Sequence, residues 1–339
     1  MNAFFAPVDM NAFERSLDGR RIFIRQLMEE VAKLASKAQD PASSADLYIQ
    51  DIQGSFWSPS LYPESEEAMK NFTITWRTYW DIASPDAACR IPMPVEQAER
   101  LRNLNPDINS VPQIPCSFFP FREDPGRLAD HTVDSARARL EEHIFPKVAK
   151  ETKEINKIVC FGLGPVQQIR YKVSQEHPAV GPDGAFDQHL AARDIADTLD
   201  RVNGSGRPRV KICVQDLAYK AVDRVLLNDL GFELVEDPHG WLKIDEHTLV
   251  FHAFCPFRPY EMIADLTHEY GGPAAILGDI PRRTGHGLKE IGPTVLTPSA
   301  YNMLSCYEAY TLNHNEDLEK NLAWLGDMAL WYKKIQKEK

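Results

Sequence analysis

The sequence predicts an α/β protein built on one Rossmann-like, doubly wound, mostly parallel sheet with an irregular N-terminal extension, on three observations. An apolar run, Ile158-Val159-Cys160-Phe161, ends in Gly162-Leu163-Gly164-Pro165, the form of a buried strand turning into a helix. Further apolar runs follow at Val210-Lys211-Ile212-Cys213-Val214, Thr248 to Phe251 and Ala274-Ala275-Ile276-Leu277, separated by stretches of helical periodicity. Strands alternating with helices at this spacing pair in parallel, because parallel neighbours need a crossover between them.

Before these strands the chain is irregular. Ile22, Leu27, Val31 and Leu34 recur at near-helical spacing and predict a helix over Gly19 to Ala38. Ser43 to Gln50 reads as a turn entering a strand, and Phe72 to Trp80 alternates like a half-buried strand. The Pro-rich stretches Ser55 to Pro63 and Asn105 to Pro125 read as loops. A long helix is predicted from about Asp130, with Val133, Ala136, Leu140 and Ile144 as its buried stripe and Pro146 ending or kinking it. These readings divide the chain into an extension over 1–127 and a Rossmann-like domain over 128–339.

Within that domain, the strand Lys157 to Phe161 is followed by a helix near Val166 and a second helix from Ala185 to Val202. Asn203-Gly204-Ser205-Gly206 breaks the pattern before the next strand, which ends at Gln215-Asp216. A helix over Tyr219 to Leu230 stops at Gly231, a usual position for glycine just beyond a helix. Short strands at Phe232 to Val235 and Thr248 to Phe251, a helix near Glu261 to Glu269 and the strand from Ala274 complete the alternation. Leu318, Leu322, Leu325, Met328 and Trp331 predict an amphipathic helix over Glu316 to Lys339.

Composition narrows the function classes. Hydrophobic residues make up 43% of the 339 and charged residues 26%, enough to bury a core. A net charge of −11 argues against a duplex-binding domain, whose affinity comes from neutralising phosphates, so DNA is not an expected partner. The six cysteines form no CxxC and no Cys/His cluster, which predicts neither a disulfide framework nor a metal site and suits a reducing compartment. No run approaches the roughly 20 apolar residues of a membrane span, and the first residues lack the pattern of a signal peptide, so a cytoplasmic location without a membrane partner is expected.

In an open parallel sheet, ligands bind beyond the carboxyl ends of the strands, at the switch in strand order. That rule selects Gly162, Gly164, Gln215, Asp216, Tyr219, His252, Cys255, Gly278 and Asp279, all of which follow predicted strands. Gly162 and Gly164 permit close approach of a ligand, but Gln167 stands where a dinucleotide fingerprint needs its third glycine, so no cofactor is predicted. Asp216 reads either as the cap of the next helix or as a carboxylate for a cationic ligand. Asp223, on the same helical face as Tyr219, reads as a solvated charge. His252 reads as a hydrogen-bonded structural residue or a proton carrier, and with Cys255 forms a possible nucleophile pair. Glu261 opens its helix, where the dipole favours a carboxylate. Among the basic groups, Arg207, Arg209 and Lys211 flank the second main strand. Arg282 and Arg283, with Lys289 nearby, are the stronger candidates for a phosphate or the end of a tRNA.

Three segments together, Ile158 to Pro165, Val214 to Gly231 and Thr248 to Pro281, resemble the sensitivity-to-red-light-reduced domain family. Its pattern joins an apolar strand plus GLG, a strand end like Q-D-P, a strand ending in a Cys-Pro motif, and a final LGN strand. Leu217 replaces that proline here, and Asp279 the asparagine. The family is linked to signalling without one agreed chemistry, and the chain is similar to a divergent fungal branch that includes arginine-containing cyclodipeptide synthases. That likeness implies condensation of arginine with a second amino acid, drawing on aminoacyl-tRNA, with Asp216, Glu261 or Asp279 holding the guanidinium. It also implies Tyr219 or His252 moving a proton, Gly162, Gly164, Gln215 and Cys255 lining the substrate, and Arg282, Arg283 and Lys289 meeting the tRNA. A non-catalytic regulatory or scaffold protein of the same family and a nucleotide-dependent enzyme are the alternatives.

Overall fold

The computed structural model describes residues 10–39, 49–50, 56–57, 72–76, 79, 82, 116–120, 144–166, 184–253, 255, 259–281, 296–311 and 328–335. The chain divides into two compact units. One comprises Met1–Phe121 with Tyr260–Asp265 and Pro281–Tyr301, and the other Arg122–Pro259 with Leu266–Ile280 and Asn302–Lys339.

The first unit holds the helices α1 (Met10–Ser16) and α2 (Arg25–Gln39), two antiparallel strand pairs, and most of a helix from the distant stretch Pro259–Leu266. The pairs are β1 (Ile49–Gln50) with β2 (Phe56–Trp57), and β3 (Phe72–Trp76) with β4 (Cys116–Pro120). β2 and β4 fall in stretches expected to be loops. A single prolyl and aromatic run can still donate every second amide to one neighbour, which is all an isolated pair requires. Helix α1 was not predicted, and the expected 19–38 helix starts later, at Arg25. Phe23 packs edge-on against Trp76 and Tyr79, with ring centroids 6.2 and 5.8 Å apart.

The second unit carries the seven-stranded sheet, with strands β5 (Lys157–Phe161), β6 (Lys211–Gln215), β7 (Glu233–Leu234), β8 (Thr248–His252), β9 (Ala275–Asp279), β10 (Glu308–Thr311) and β11 (Met328–Tyr332). Their spatial order is β10-β11-β9-β8-β5-β6-β7. The five strands from β9 to β7 are mutually parallel, and β11 and β10 add antiparallel strands at one side. This is the expected α/β class, a mixed but mostly parallel sheet. β5 and β8 are buried almost throughout, the near-continuous apolar reading of strands covered on both faces.

The helices of this unit are α3 (Phe145–Glu151), α4 (Gly184–Asn203), α5 (Ala221–Asp229) and the short α6 (His239–Leu242). The α7 helix (Pro259–Leu266) and α8 (Pro298–Ser305) lie across the boundaries of the two units in sequence. Pro146 sits in the first turn of α3. Proline is tolerated there because its missing N–H would have had no intrahelical partner. The expected helix from Asp130 lies outside the described residues before Ile144, as does the helix predicted after Val166.

The predicted C-terminal helix is corrected at its end. Met328-Ala329-Leu330-Trp331-Tyr332 is strand β11, antiparallel to β9 on one side and β10 on the other. Five consecutive apolar residues, all buried, suit an interior strand better than one helical face. Residues 316–327 lie outside the described set.

Candidate functional site

The chain leaves β5 for β6 and β7 on one side, then returns to place β8 on the other side of β5. The reversal of strand order therefore falls between β5 and β8, where the two connections part and a crevice opens. Gly162, Leu163 and Gly164 follow β5 there; His252, Ala253 and Cys255 belong to the end of β8 and beyond. Ala253 N donates to Phe161 O at 3.2 Å, so the two strands stay in register up to the crevice.

Gly162 has φ of +69°, and a Cβ built on it would lie 2.7 Å from Cys255 Sγ. Only glycine meets both conditions, so the thiol is seated on the bare backbone of the turn. Desolvation holds that thiol well above the usual range, reinforced by the carboxylates of Asp279 and Asp216. Two acids from opposite flanks of β5–β8 thus act on one half-buried sulfur. Cys255 stays protonated, which removes the thiolate that a nucleophile pair would need.

Asp216 follows β6, where its Oδ2 accepts from Gly164 N at 2.7 Å and its Oδ1 from Ala218 N at 2.8 Å. It ties two strand-end turns together and is not the cap of α5, which begins only at Ala221. Burial raises its pKa, and the two amide bonds oppose that rise. The Gly164 amide, which could have faced a ligand phosphate, is thereby occupied by a carboxylate. The helix cap contact belongs instead to Asp223, whose Oδ2 accepts from Lys220 N at 2.8 Å. Asp223 is fully buried, so its expected role as a solvated charge is corrected.

Gln215, also nearly buried, accepts from Gly240 N through Oε1 at 2.8 Å and so anchors α6. Trp241 of α6 stacks on Phe161 with centroids 3.9 Å apart, closing the β5–β6 side of the sheet end. Tyr219 is buried and its hydroxyl lies 2.8 Å from His189 Nε2. His189 Nδ1 sits 2.6 Å from Ala185 O, which can only accept, so Nδ1 carries the hydrogen and Nε2 accepts from Tyr219. Burial lowers the pKa of His189 to about 4 and keeps it neutral. This histidine was not among the expected site residues. Its signal was a polar residue on the apolar stripe Ala185, His189, Ala192, Ala196, Leu199 of a long helix.

His252 is buried, and its pKa falls to about 3 through burial. A Cβ on Gly278 would overlap its imidazole ring, so His252 lies across β9 while Cys255 lies towards β5. The two side chains diverge to opposite neighbours of β8. Asp279 ends β9 and remains half-buried. Glu261 belongs to the other unit, where its Oε2 accepts from Tyr79 N at 2.7 Å.

The second unit therefore brings Gly162, Gly164, Asp216, Cys255 and Asp279 to one rim, with Gln215, Tyr219 and His252 in the packed layer beneath. Arg282, Arg283 and Lys289 lie outside the described residues. Among the described residues no group of three His, Cys, Asp or Glu side chains could hold a metal ion, and no helix is long and apolar enough to cross a membrane.

No curated protein and no solved structure matches the chain. Residues 136–302, just under half the chain, match the SRR1 domain. The stretch that builds strands β5 to β9 and the crevice between them thus matches the SRR1 domain, which upholds the resemblance at the level of the domain.

Proposed function

We propose that the crevice between β5 and β8 receives a ligand bearing a guanidinium or ammonium group, held by Asp216 and Asp279. The reading extends to aminoacyl chemistry, the condensation of an arginyl ester of tRNA with a second amino acid to a diketopiperazine. The observation that carries it is the thiol of Cys255 seated on Gly162 under the influence of both carboxylates. Burial raises Asp216 at this rim, and a carboxylate so raised favours a cation, whose arrival returns it to the ionised state.

An aminoacyl ester is already activated, so the protein's work is to hold two acyl groups and manage protons. The α-amine of one residue attacks the ester carbonyl of the other; an amide forms and the ribose hydroxyl of the tRNA leaves with the proton that the amine releases. Repetition within the dipeptidyl ester closes the ring and frees the second tRNA. A protonated Cys255 favours this direct aminolysis over a thioester. Tyr219 and His252, packed below the rim, support the cavity and do not touch a reacting amine in this mechanism.

A second reading is a non-catalytic regulatory domain, favoured by the commitment of Asp216 and Gln215 to the protein's own amides. The two separate in one experiment. The full chain, expressed in a heterologous host, is followed by mass spectrometry of the culture, and the purified protein is incubated with charged tRNA. An arginine-containing diketopiperazine that disappears in Asp216→Asn and Asp279→Asn supports the synthase. Soluble protein with no such product, but with arginine binding lost in both variants, leaves the regulatory reading; no arginine binding at all overturns the cationic site.

A further inference from the structure

At the opposite, amino end of the strands, the last turns of α4 and the segment leading into β6 enclose a concavity of about 480 Å³. It is lined by Arg201, Arg207 and Arg209, by Asp197 and Asp200, and by the Gly204-Ser205 turn. We propose that this concavity is a second binding site, for a small phosphorylated polyol or sugar.

The arginines supply the phosphate half. Arg209 has no ion pair among the described residues, and Arg207 meets Glu154 at 2.9 Å through a side chain that is 60% exposed. Arg207 Nη1 donates to both Glu154 oxygens, at 3.2 and 2.9 Å, but both side chains are exposed, and a solvent-screened pair contributes little and can exchange for a dianion. Arg201 is positioned by its own helix, with Nη2 donating to Thr198 Oγ1 at 2.9 Å and Nε to Asp197 O at 3.4 Å. Guanidinium forks suit phosphate oxygens in pairs. The carboxyl end of α4 carries a partial negative charge, so the phosphate belongs on the Arg207–Arg209 side, away from the helix end.

The carboxylates supply the other half. Asp200 Oδ1 accepts from Val210 N at 2.7 Å, which fixes that side chain and leaves acceptor capacity on the carboxylate. Acceptors facing a pocket that also holds arginines suit a ligand with hydroxyl donors next to its phosphate. They disfavour a longer polyanion, whose next phosphate would meet Asp197 or Asp200. The overall charge of −11 repels a nucleic acid further.

The test is calorimetric titration of the full chain with ribose 5-phosphate, inorganic phosphate and ribose at low salt. Ribose 5-phosphate should bind about tenfold more tightly than inorganic phosphate, and ribose alone should give no heat. Arg209→Gln should weaken ribose 5-phosphate by about tenfold or more, while Arg209→Lys, which keeps the charge and loses the fork, should recover part of it. Unfolding midpoints of both variants should stay near that of the parent, since Arg209 makes no ion pair that the fold depends on. Inorganic phosphate binding as tightly as ribose 5-phosphate overturns the polyol assignment. Binding untouched by Arg209→Gln, or absent altogether, overturns the site.

Discussion

Asp265 and Asp216 are both carboxylates raised by burial, yet they have opposite fates. Asp265, in the first unit, is 1% exposed, and its Oδ2 accepts from Ile22 N at 3.1 Å, Phe23 N at 2.9 Å and the Tyr79 hydroxyl at 2.7 Å. Glu261, one helical turn earlier, accepts from Tyr79 N. This pair clamps two remote segments and has no face left for a ligand. Asp216, in the second unit, takes two amides from its own sheet end and stays partly exposed at the rim. A carboxylate in a cleft is thus not a site by chemistry alone; what distinguishes it is whether the chain's own donors surround it or merely steady it.

The sharpest way to break this contrast is to remove both acids in turn. Asp265→Ala should cost about 3 to 5 kcal/mol, because two buried amides and a phenol lose their acceptor, and chemical denaturation of the first unit reads the loss. Asp216→Asn, which keeps an acceptor, should cost about 1 kcal/mol while abolishing binding of the cationic ligand. Equal destabilisation by the two would make Asp216 another clamp.

Acidification gives the next effect. The folded pKa of His189, about 4, lies below the unfolded value of roughly 6.5, so the unfolded chain takes up the proton first. Stability is therefore full above about pH 6.5 and falls by roughly 3 kcal/mol as pH drops to 4, through this residue alone. Asp265 acts with the opposite sign. Its folded pKa is raised, so the folded state binds the proton first and acid relieves the penalty of burying its charge. His189→Gln should flatten the acid loss, measured by denaturation at pH 7 and pH 4.5; an unchanged slope would show that this histidine is not the group that titrates.

Gly278→Ala should destabilise the sheet by about 2 kcal/mol, since the new methyl meets the His252 ring. Adding His252→Ala should restore part of that loss, a coupling visible in a double-mutant cycle. The smallest effect belongs to Tyr219→Phe, about 1 kcal/mol, with the His189 ring signals shifting in NMR spectra while ligand affinity at the rim stays constant.

Much of the second unit was legible because its strands are short, apolar and bounded by glycine. The ends of β5, β6, β8 and β9 all fall within two residues of the expected ones, and the residues at those ends could be named. The first unit was less legible. Its strands are isolated pairs of two to five residues; β1 and β3 fall where strands were expected, but their partners β2 and β4 lie in stretches whose proline content reads as loop. β11 was misread for a related reason: a five-residue apolar run carries no periodicity that separates a helix from an interior strand.

Sequence alone determined the alternation of strand and helix, the glycine turn after β5 and the acidic residues that follow β6 and β9. These depend on local patterns, which a reader of the chain can count. Tertiary structure decided which of the named groups are available. It set Cys255 on Gly162 and His252 on Gly278, buried Tyr219 against His189, and gave Glu261 to a backbone amide of another segment. Those outcomes depend on donors and backbone surfaces brought in from far along the chain. A hydrogen bond or a close approach has no signature at either partner until the fold makes them neighbours.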